Sequence, residues 1–312
     1  MGEFPALRLG TRGSALALAQ AESVAEALDG AEAVTIRTAG DERPGGAPPA
    51  PFGEPGGDKA RFVGEIERAL LAGEVDLAVH SAKDLPTEIP DGLEIAGVPA
   101  REDPRDAYVG EGASLDELPQ GARVGTSSLR RRAQLLAARP DLRIEPIRGN
   151  VDTRLRKLAE GALDGLVLAA AGLRRLGRED EISFRFPVDV LTPAAGQGAL
   201  IIESRLDDAP EVLAQVITDR RALAEISCER AAVASLDASC NTPVGASATI
   251  STSRMRALGF CGLPDGSEWI RDEVEADASE PEELGRRLAE RMRSAGAREL
   301  LDRAEQMAAA AS

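Results

Sequence analysis

Six arginines stand in two short stretches of the chain, and their side chains could bind a ligand that carries several negative charges. They are Arg130, Arg131, Arg132, Arg148, Arg154 and Arg156. Guanidinium groups suit such a ligand because their planar fork donates two parallel hydrogen bonds to one carboxylate or phosphate. The alternative is that these arginines form the solvated face of a helix.

The charge balance limits the kinds of partner. The 312 residues include 53 acidic and 37 basic ones, and the net charge of −16 excludes a general attraction to nucleic acid. Only Lys59, Lys83 and Lys157 are lysines. An acidic excess of this size repels itself at low ionic strength, so we expect a halophilic, salt-adapted protein.

The remaining composition points to a cytoplasmic protein without a metal. No apolar run reaches the length of a membrane span, and the first residues lack a signal pattern. Cys228, Cys240 and Cys261 do not form a disulfide framework. Since His80 is the single histidine and no Cys-x-x-Cys pair exists, we expect no zinc site of the usual type.

A repeated pattern predicts two similar α/β lobes. Gly-Thr-Arg-Gly-Ser at 10–14 and Gly-Thr-Ser-Ser at 125–128 each follow a short strand and precede a helix. A Gly-x-x-Asp sequence leading into a buried strand then follows each of them, the first strand being 75–79. Ser14 is expected to cap the first helix. Each helix start offers N–H groups that favour anions.

The predicted fold class is α/β, with two similar lobes, a hinge and a third α+β domain. We assign residues 1–99 with 198–217 to lobe one, 100–197 to lobe two and 218–312 to the third domain. The hinge is predicted where the chain crosses from one lobe to the other. A cleft between two lobes is a common ligand site.

Lys83 and Asp84 lie just beyond the carboxyl end of the buried strand predicted at 75–79. Ligand sites of α/β folds occur at that edge of the sheet. The alternative is an ordinary surface ion pair in a loop. Further upstream, residues 40–57 carry five prolines and six glycines, a composition that favours disorder over a lid.

Eight motifs, taken together and in this order, resemble the porphobilinogen deaminase family, also called hydroxymethylbilane synthase. They are T-R-G-S at 11–14, H-S-A-K-D at 80–84, R-E-D-P-R-D at 101–106, G-T-S-S-L-R-R-R at 125–132, I-R-G-N-V-D-T-R at 147–154, A-G-L-R-R-L-G at 171–177, G-Q-G-A at 196–199 and S-C-N-T-P-V-G at 239–245. The resemblance implies lobes like those of type-II periplasmic binding proteins.

The resemblance also implies an activity. The family joins four porphobilinogen molecules head to tail, with loss of ammonia, into the linear tetrapyrrole hydroxymethylbilane. Its primer is a dipyrromethane cofactor held by a thioether, here at Cys240. Every porphobilinogen carries an acetate and a propionate, and arginines are the natural counter-charge. The product would pass to uroporphyrinogen-III synthase, and we expect a monomer.

The motif positions imply the site residues. The cofactor-binding set is Ser14, Lys83, Asp84, Thr126, Ser127, Arg130, Arg131, Arg148, Gly149 and Cys240. The substrate-binding set is Arg12, Lys59, Phe62, Arg148, Arg154, Arg175 and Gln197. Asp84 is the implied catalytic residue, because a carboxylate stabilises the cation left by ammonia and can shuttle protons.

The resemblance turns residues 40–62 into a predicted lid, with Lys59 and Phe62 at its end. Asp58 and Arg61 depart from the family pattern there, and Ser239 departs from it beside Cys240. Two other classes remain open, a non-catalytic bilobal receptor for a polyanion and a phosphate-transferring enzyme. The receptor needs neither Cys240 nor Asp84, and the second lacks a Gly-x-x-x-x-Gly-Lys loop.

Overall fold

A computed structural model describes residues 7–28, 30–36, 58–206, 208, 217–238 and 242–310, with backbone alone for 58–62. The helices are α1 (Ala15–Ala27), α2 (Asp58–Leu71), α3 (Leu129–Ala138), α4 (Val151–Ala159), α5 (Ala170–Arg175), α6 (Arg220–Ser235), α7 (Pro281–Ser294) and α8 (Ala297–Ala310). The strands are β1 (Arg8–Thr11), β2 (Glu32–Thr35), β3 (Leu77–Ser81), β4 (Leu93–Gly97), β5 (Asp106–Gly110), β6 (Arg123–Gly125), β7 (Arg143–Glu145), β8 (Gly165–Ala169), β9 (Phe184–Arg185), β10 (Leu200–Arg205), β11 (Val244–Ser251), β12 (Arg254–Gly262) and β13 (Trp269–Asp277).

The first lobe is built on a sheet of order β2-β1-β3-β10-β4. Strands β1, β2 and β3 are parallel, whereas β10 runs antiparallel to both β3 and β4. The strand predicted at 75–79 lies two residues later, at Leu77–Ser81, and the carboxylate of Asp76 just before it accepts the backbone N–H of Arg8 at 2.9 Å. Helices α1 and α2 both pack against β1 and β3.

The second lobe repeats this arrangement. Its sheet has the order β7-β6-β8-β5-β9, with β6, β7 and β8 parallel and β5 antiparallel to β8. In each sheet, therefore, three parallel strands are followed by an antiparallel strand. The chain forms this strand, β10 in the first lobe and β5 in the second, directly after it crosses from the other lobe. The prediction of two similar α/β lobes is confirmed.

The third part of the chain is an antiparallel meander, β11-β12-β13, covered by α6, α7 and α8. Its core includes Cys228, Met255, Cys261 and Met292, all essentially inaccessible to solvent. Asp219 begins α6 by accepting the N–H of Ala222 at 2.8 Å. The α+β character predicted for this part is confirmed.

The chain crosses between the lobes twice. It leaves β4 for β5 through residues 98–105, and it returns from β9 to β10 through residues 186–199. Both crossings contact the third part of the chain, so all three parts meet there. Within the described ranges, no helix is long and apolar enough to cross a membrane.

Candidate active site

A small open pocket, with a cavity volume of about 90 Å³, lies at the carboxyl end of β3 in the first lobe. Arg12, Ser14 and Asp84 line this pocket, as two separate motifs predicted. Ser14 caps α1, its hydroxyl accepting the N–H of Ala17 at 3.3 Å. The carboxyl ends of β1 and β3 lie side by side because the strands are parallel neighbours, and that brings the residues together.

Asp84 ends a single 3₁₀ turn, Ala82–Asp84, that follows β3 directly. The N–H of Ala82 donates to the carbonyl of Ala199 at 3.1 Å, which ties this turn to the beginning of β10. Ala82 is buried, whereas Lys83 and Asp84 are half-buried. The turn therefore presents Asp84 at the pocket while its own backbone is fixed from behind.

The second lobe places Arg130 and Arg131 around one buried carboxylate. Nη1 of Arg130 lies 2.7 Å from Oδ2 of Asp106, and Nε and Nη2 of Arg131 lie 2.9 and 2.7 Å from Oδ1. Gln197 donates to the same Oδ1 at 2.9 Å. Burial alone would raise the pKa of Asp106, but the charges of Arg130 and Arg131 hold it well below its usual range. Asp106 lies in the R-E-D-P-R-D motif, yet sequence reasoning gave it no role.

The Arg148–Gly149 turn begins α4 and orients Arg154. Asn150 caps the helix by accepting the N–H of Thr153 at 3.0 Å. Arg154 donates from Nε to the carbonyl of Gly149 at 2.8 Å. Burial and the nearby charge of Arg131 lower the pKa of Arg154 to about 10, while the carboxylate of Asp84 opposes that shift. Asp84 of lobe one is therefore close enough to Arg154 of lobe two for its charge to affect the guanidinium.

The other residues of this lobe that were predicted to belong to the site form hydrogen bonds mainly with backbone atoms. The hydroxyl of Ser127 donates to the carbonyl of Ile147 at 2.7 Å, and Thr126 is buried and accepts the N–H of Ser128 at 3.2 Å. Arg175 donates to the carbonyl of Gly198 at 2.8 Å, at the second crossing. Burial lowers the pKa of Arg175, and Glu102 opposes this.

Three further residues that line the pocket were missed from the sequence. Gln20 and Ser81 hydrogen-bond to each other at 2.9 Å, and His80 lies beside them at the end of β3. Gln20 stands in α1 and Ser81 in β3, 61 positions apart, so no local pattern could pair them. Their one sequence signal is the H-S-A-K-D motif, which contains His80 and Ser81.

Cys240 and most of the predicted lid lie outside the described residues, and the side chains of Lys59 and Phe62 are not described. The other two cysteines, Cys228 and Cys261, are buried in the third core, and burial raises the pKa of each thiol to about 12. Such thiols rarely form the reactive thiolate at neutral pH.

Comparison with known families identifies the chain. Residues 7–212 match the family model described as the porphobilinogen deaminase dipyrromethane cofactor binding domain, and residues 223–294 match the porphobilinogen deaminase C-terminal domain. The chain belongs to the porphobilinogen deaminase family. The prediction of a dipyrromethane cofactor is confirmed by the domain that the chain contains.

Curated relatives agree over nearly the full length. The porphobilinogen deaminase of Thermus thermophilus is 49% identical over 303 residues, covering 94% of this chain and 97% of the relative. That of Syntrophus aciditrophicus is 45% identical over 307 residues, covering 96% and 99%.

Solved structures give a weaker likeness. A periplasmic solute binding protein from Desulfovibrio salexigens is 11% identical, with a TM-score of 0.39, and covers 68% of this chain and 70% of that one. A substrate binding domain of GlnP from Lactococcus lactis is 10% identical, also with a TM-score of 0.39, and covers 68% and 87%.

The residues of the cleft fit the cofactor of the porphobilinogen deaminase family. A dipyrromethane with acetate and propionate arms is a polyanion. Among the described candidate residues, cations outnumber the two carboxylates Asp84 and Asp106. The cations are Arg12, Lys83, Arg130, Arg131, Arg148, Arg154 and Arg175. An excess of guanidinium groups at a half-buried cleft is the donor set that carboxylate arms require.

Proposed function

We propose that this enzyme condenses four porphobilinogen molecules head to tail, with loss of ammonia, into hydroxymethylbilane. The observation that carries this proposal is the placement of Asp84 in a pocket with Arg12, where its charge also acts on Arg154 of the other lobe. One carboxylate in a pocket with cations suits this reaction, because the cations can bind the anionic arms of the substrate. The carboxylate can then stabilise the cationic state through which the substrate passes.

The arginines are proposed to bind the acetate and propionate arms. Arg12, Arg148, Arg154 and Arg175 would hold substrate, with Lys59, Phe62 and Gln197 completing that set. Arg130 and Arg131 would act on the cofactor with Lys83, Ser14, Thr126, Ser127 and Gly149. Asp106 already occupies several N–H groups of Arg130 and Arg131, so these two contribute mainly a fixed positive potential.

Asp84 is proposed to be the catalytic residue. When porphobilinogen loses ammonia, its aminomethyl carbon becomes cationic, and a carboxylate held beside it lowers the energy of that state. The carboxylate oxygens of Asp84 can then accept the proton that condensation releases. The fixed turn behind Asp84 keeps this carboxylate in place without a rearrangement.

Cys240 is proposed to carry the cofactor. The raised pKa values of Cys228 and Cys261 support this, because they leave Cys240 as the remaining thiol. When bound, the dipyrromethane supplies the pyrrole carbon to which the first substrate is joined. The same proposal includes a lid at 40–62, domain boundaries at 99, 197 and 217, a monomeric state and a cytoplasmic location. It also includes salt adaptation and transfer of the product to uroporphyrinogen-III synthase.

Intact-mass measurement tests this function. The purified enzyme should be heavier than its sequence by one dipyrromethane, and porphobilinogen should be consumed with release of ammonia. The Cys240→Ser variant should show the plain sequence mass and no turnover, while Cys228→Ser should keep the added mass. An unmodified mass in fully active enzyme contradicts the proposal, and anion binding without turnover indicates a receptor instead.

A further inference from the structure

Gly196, in the second crossing, lies against the turn that carries Asp84. Its φ is +73°, and a Cβ atom built on it would stand 2.8 Å from Cβ of Ala82. The same atom would stand 3.0 Å from the carbonyl carbon of Ala82 and 3.1 Å from the backbone nitrogen of Lys83. Real Cβ atoms do not approach other atoms below about 3 Å. The backbone at Gly196 therefore forms a wall against the Ala82–Asp84 turn, with no room for a side chain.

One buried carboxylate of the third part of the chain holds this wall in place. Glu229, on α6, accepts the N–H of Gly196 at Oε2 over 2.7 Å. Its Oε1 accepts the N–H of Ala248, on β11, at 2.7 Å. Arg101, in the first crossing, donates to both oxygens at 2.8 and 3.0 Å. Because four donors from three segments fix Glu229, which is 1% exposed, the position of Gly196 is strongly determined.

The next residue extends the connection to the other lobe. The carbonyl of Gln197 accepts a hydrogen bond from Nε of Arg101 at 3.0 Å, and the side-chain amide of Gln197 donates to Asp106 at 2.9 Å. Asp106 in turn holds Arg130 and Arg131. Of these two consecutive residues, Gly196 thus contacts the Asp84 turn, and Gln197 contacts the carboxylate that holds the arginine pair.

We propose that Gly196 is a positioning residue for Asp84, and that Glu229 holds Gly196 in the place where it does this. The inference rests on the proposed function, since that function makes Asp84 the catalytic residue. A methyl group at residue 196 displaces the turn and moves the carboxylate relative to the arginines. The chemical step is then slowed more than substrate binding is weakened.

A matched pair of alanine variants separates this role from simple backbone strain. Gly73 has the same φ of +73° in the same lobe, but nothing lies within 4 Å of its Cβ position. Gly196→Ala and Gly73→Ala therefore share the conformational penalty of a positive φ, and only Gly196→Ala adds a steric clash. We expect both to lower the melting temperature, Gly196→Ala by more. Only Gly196→Ala should lose kcat, by about tenfold or more, with a nearly unchanged KM, because small misplacements of catalytic groups are costly.

Hydrogen exchange supplies a measurement that does not depend on activity. Exchange in a peptide covering residues 80–86 should be faster in Gly196→Ala and unchanged in Gly73→Ala. If wild-type enzyme makes no tetrapyrrole, the proposed function fails, while this exchange pattern still decides whether Gly196 positions the turn. Equal kcat and equal exchange in the two variants would overturn the inference.

A second pair keeps the test decisive if Gly196→Ala does not fold. Glu225 lies one turn before Glu229, is also buried, and bonds Arg101 and the N–H of Ile250, but has no bond to Gly196. Glu229→Gln should therefore lower kcat per cofactor-loaded chain by about tenfold, and Glu225→Gln should leave it within about twofold. Equal values for these two variants would also overturn the inference.

Discussion

Nε2 of His80 lies 3.0 Å from Oε2 of Glu203, with the two side chains 3% and 0% exposed. The strands β3 and β10 place them on one face of the first sheet, where Ile201 pairs with His80. Glu67 of α2 stands close enough to interact electrostatically with both residues. Two buried glutamates and one imidazole thus lie together at the pocket, and buried polar groups of this kind cost free energy unless they are paired.

Removing the imidazole should destabilise the first lobe. In His80→Ala, the buried Glu203 side chain loses the imidazole that lies 3.0 Å away, and leaving a buried polar group without its partner costs about 1–3 kcal/mol. Urea unfolding measures the loss. Glu273→Ala, which removes an exposed carboxylate on β13, is the control and should change stability little. A loss below about 1 kcal/mol for His80→Ala would show that the pair is energetically unimportant.

Glu67 should make stability depend on pH. Burial, followed by the charge of Glu203, raises the pKa of Glu67 above its ordinary value of 4.5, and His80 partly opposes this. The native state therefore holds the proton more tightly than the unfolded chain does. Stability should fall as pH rises from about 4.5 through the raised native value. Glu67→Gln should remove this fall, so its advantage over wild type should grow across that window. A constant difference between the two proteins would contradict this.

Asp106 should show the opposite pH dependence. Its pKa is lowered by Arg130 and Arg131, so its contribution to stability is complete above its unfolded value of 3.8 and is lost as pH falls toward the native value. Asp106→Asn should flatten this acid limb of the stability curve. At neutral pH the same variant leaves two buried guanidinium groups without their carboxylate and should lose about 3–5 kcal/mol. Urea unfolding at several pH values measures both effects, and an unchanged acid limb would contradict the assignment.

Local and motif-based features of the fold were predictable from sequence, and contacts between distant residues were not. The cap at Ser14 depends on residues three positions apart, so the sequence predicted it correctly. Asp106 escaped notice because its partners Arg130 and Arg131 are 24 and 25 positions away, and only the sheet of lobe two brings them together. The close approach of Gly196 to Ala82 likewise depends on the return of the chain to lobe one.

Asp84→Ala should separate cofactor assembly from turnover. The variant should keep the dipyrromethane, visible by intact mass, because the cations that bind its carboxylate arms remain. Turnover of porphobilinogen should nearly vanish, because no other described carboxylate of the matching motifs lines the pocket. Glu88→Ala, a few residues beyond the turn and exposed, is the control. Near-normal rates in Asp84→Ala would remove the catalytic role assigned to this residue.

Arg154 should contribute through charge and through geometry, and two variants distinguish these. Arg154→Leu removes a half-buried cation whose charge interacts with that of Asp84. Because we propose that Arg154 donates a charge-assisted hydrogen bond to a carboxylate arm of the substrate, its loss should cost about 1.5–3 kcal/mol in kcat/KM. Arg154→Lys keeps the charge but loses the planar fork, so it should recover only part of that loss. Arg156→Leu, an exposed residue of the same helix paired with Glu160, is the control. Equal kcat/KM for Arg154→Leu and Arg156→Leu would contradict the proposed role of Arg154. Removing a cation that binds a carboxylate arm must lower kcat/KM, whereas removing an exposed surface arginine need not.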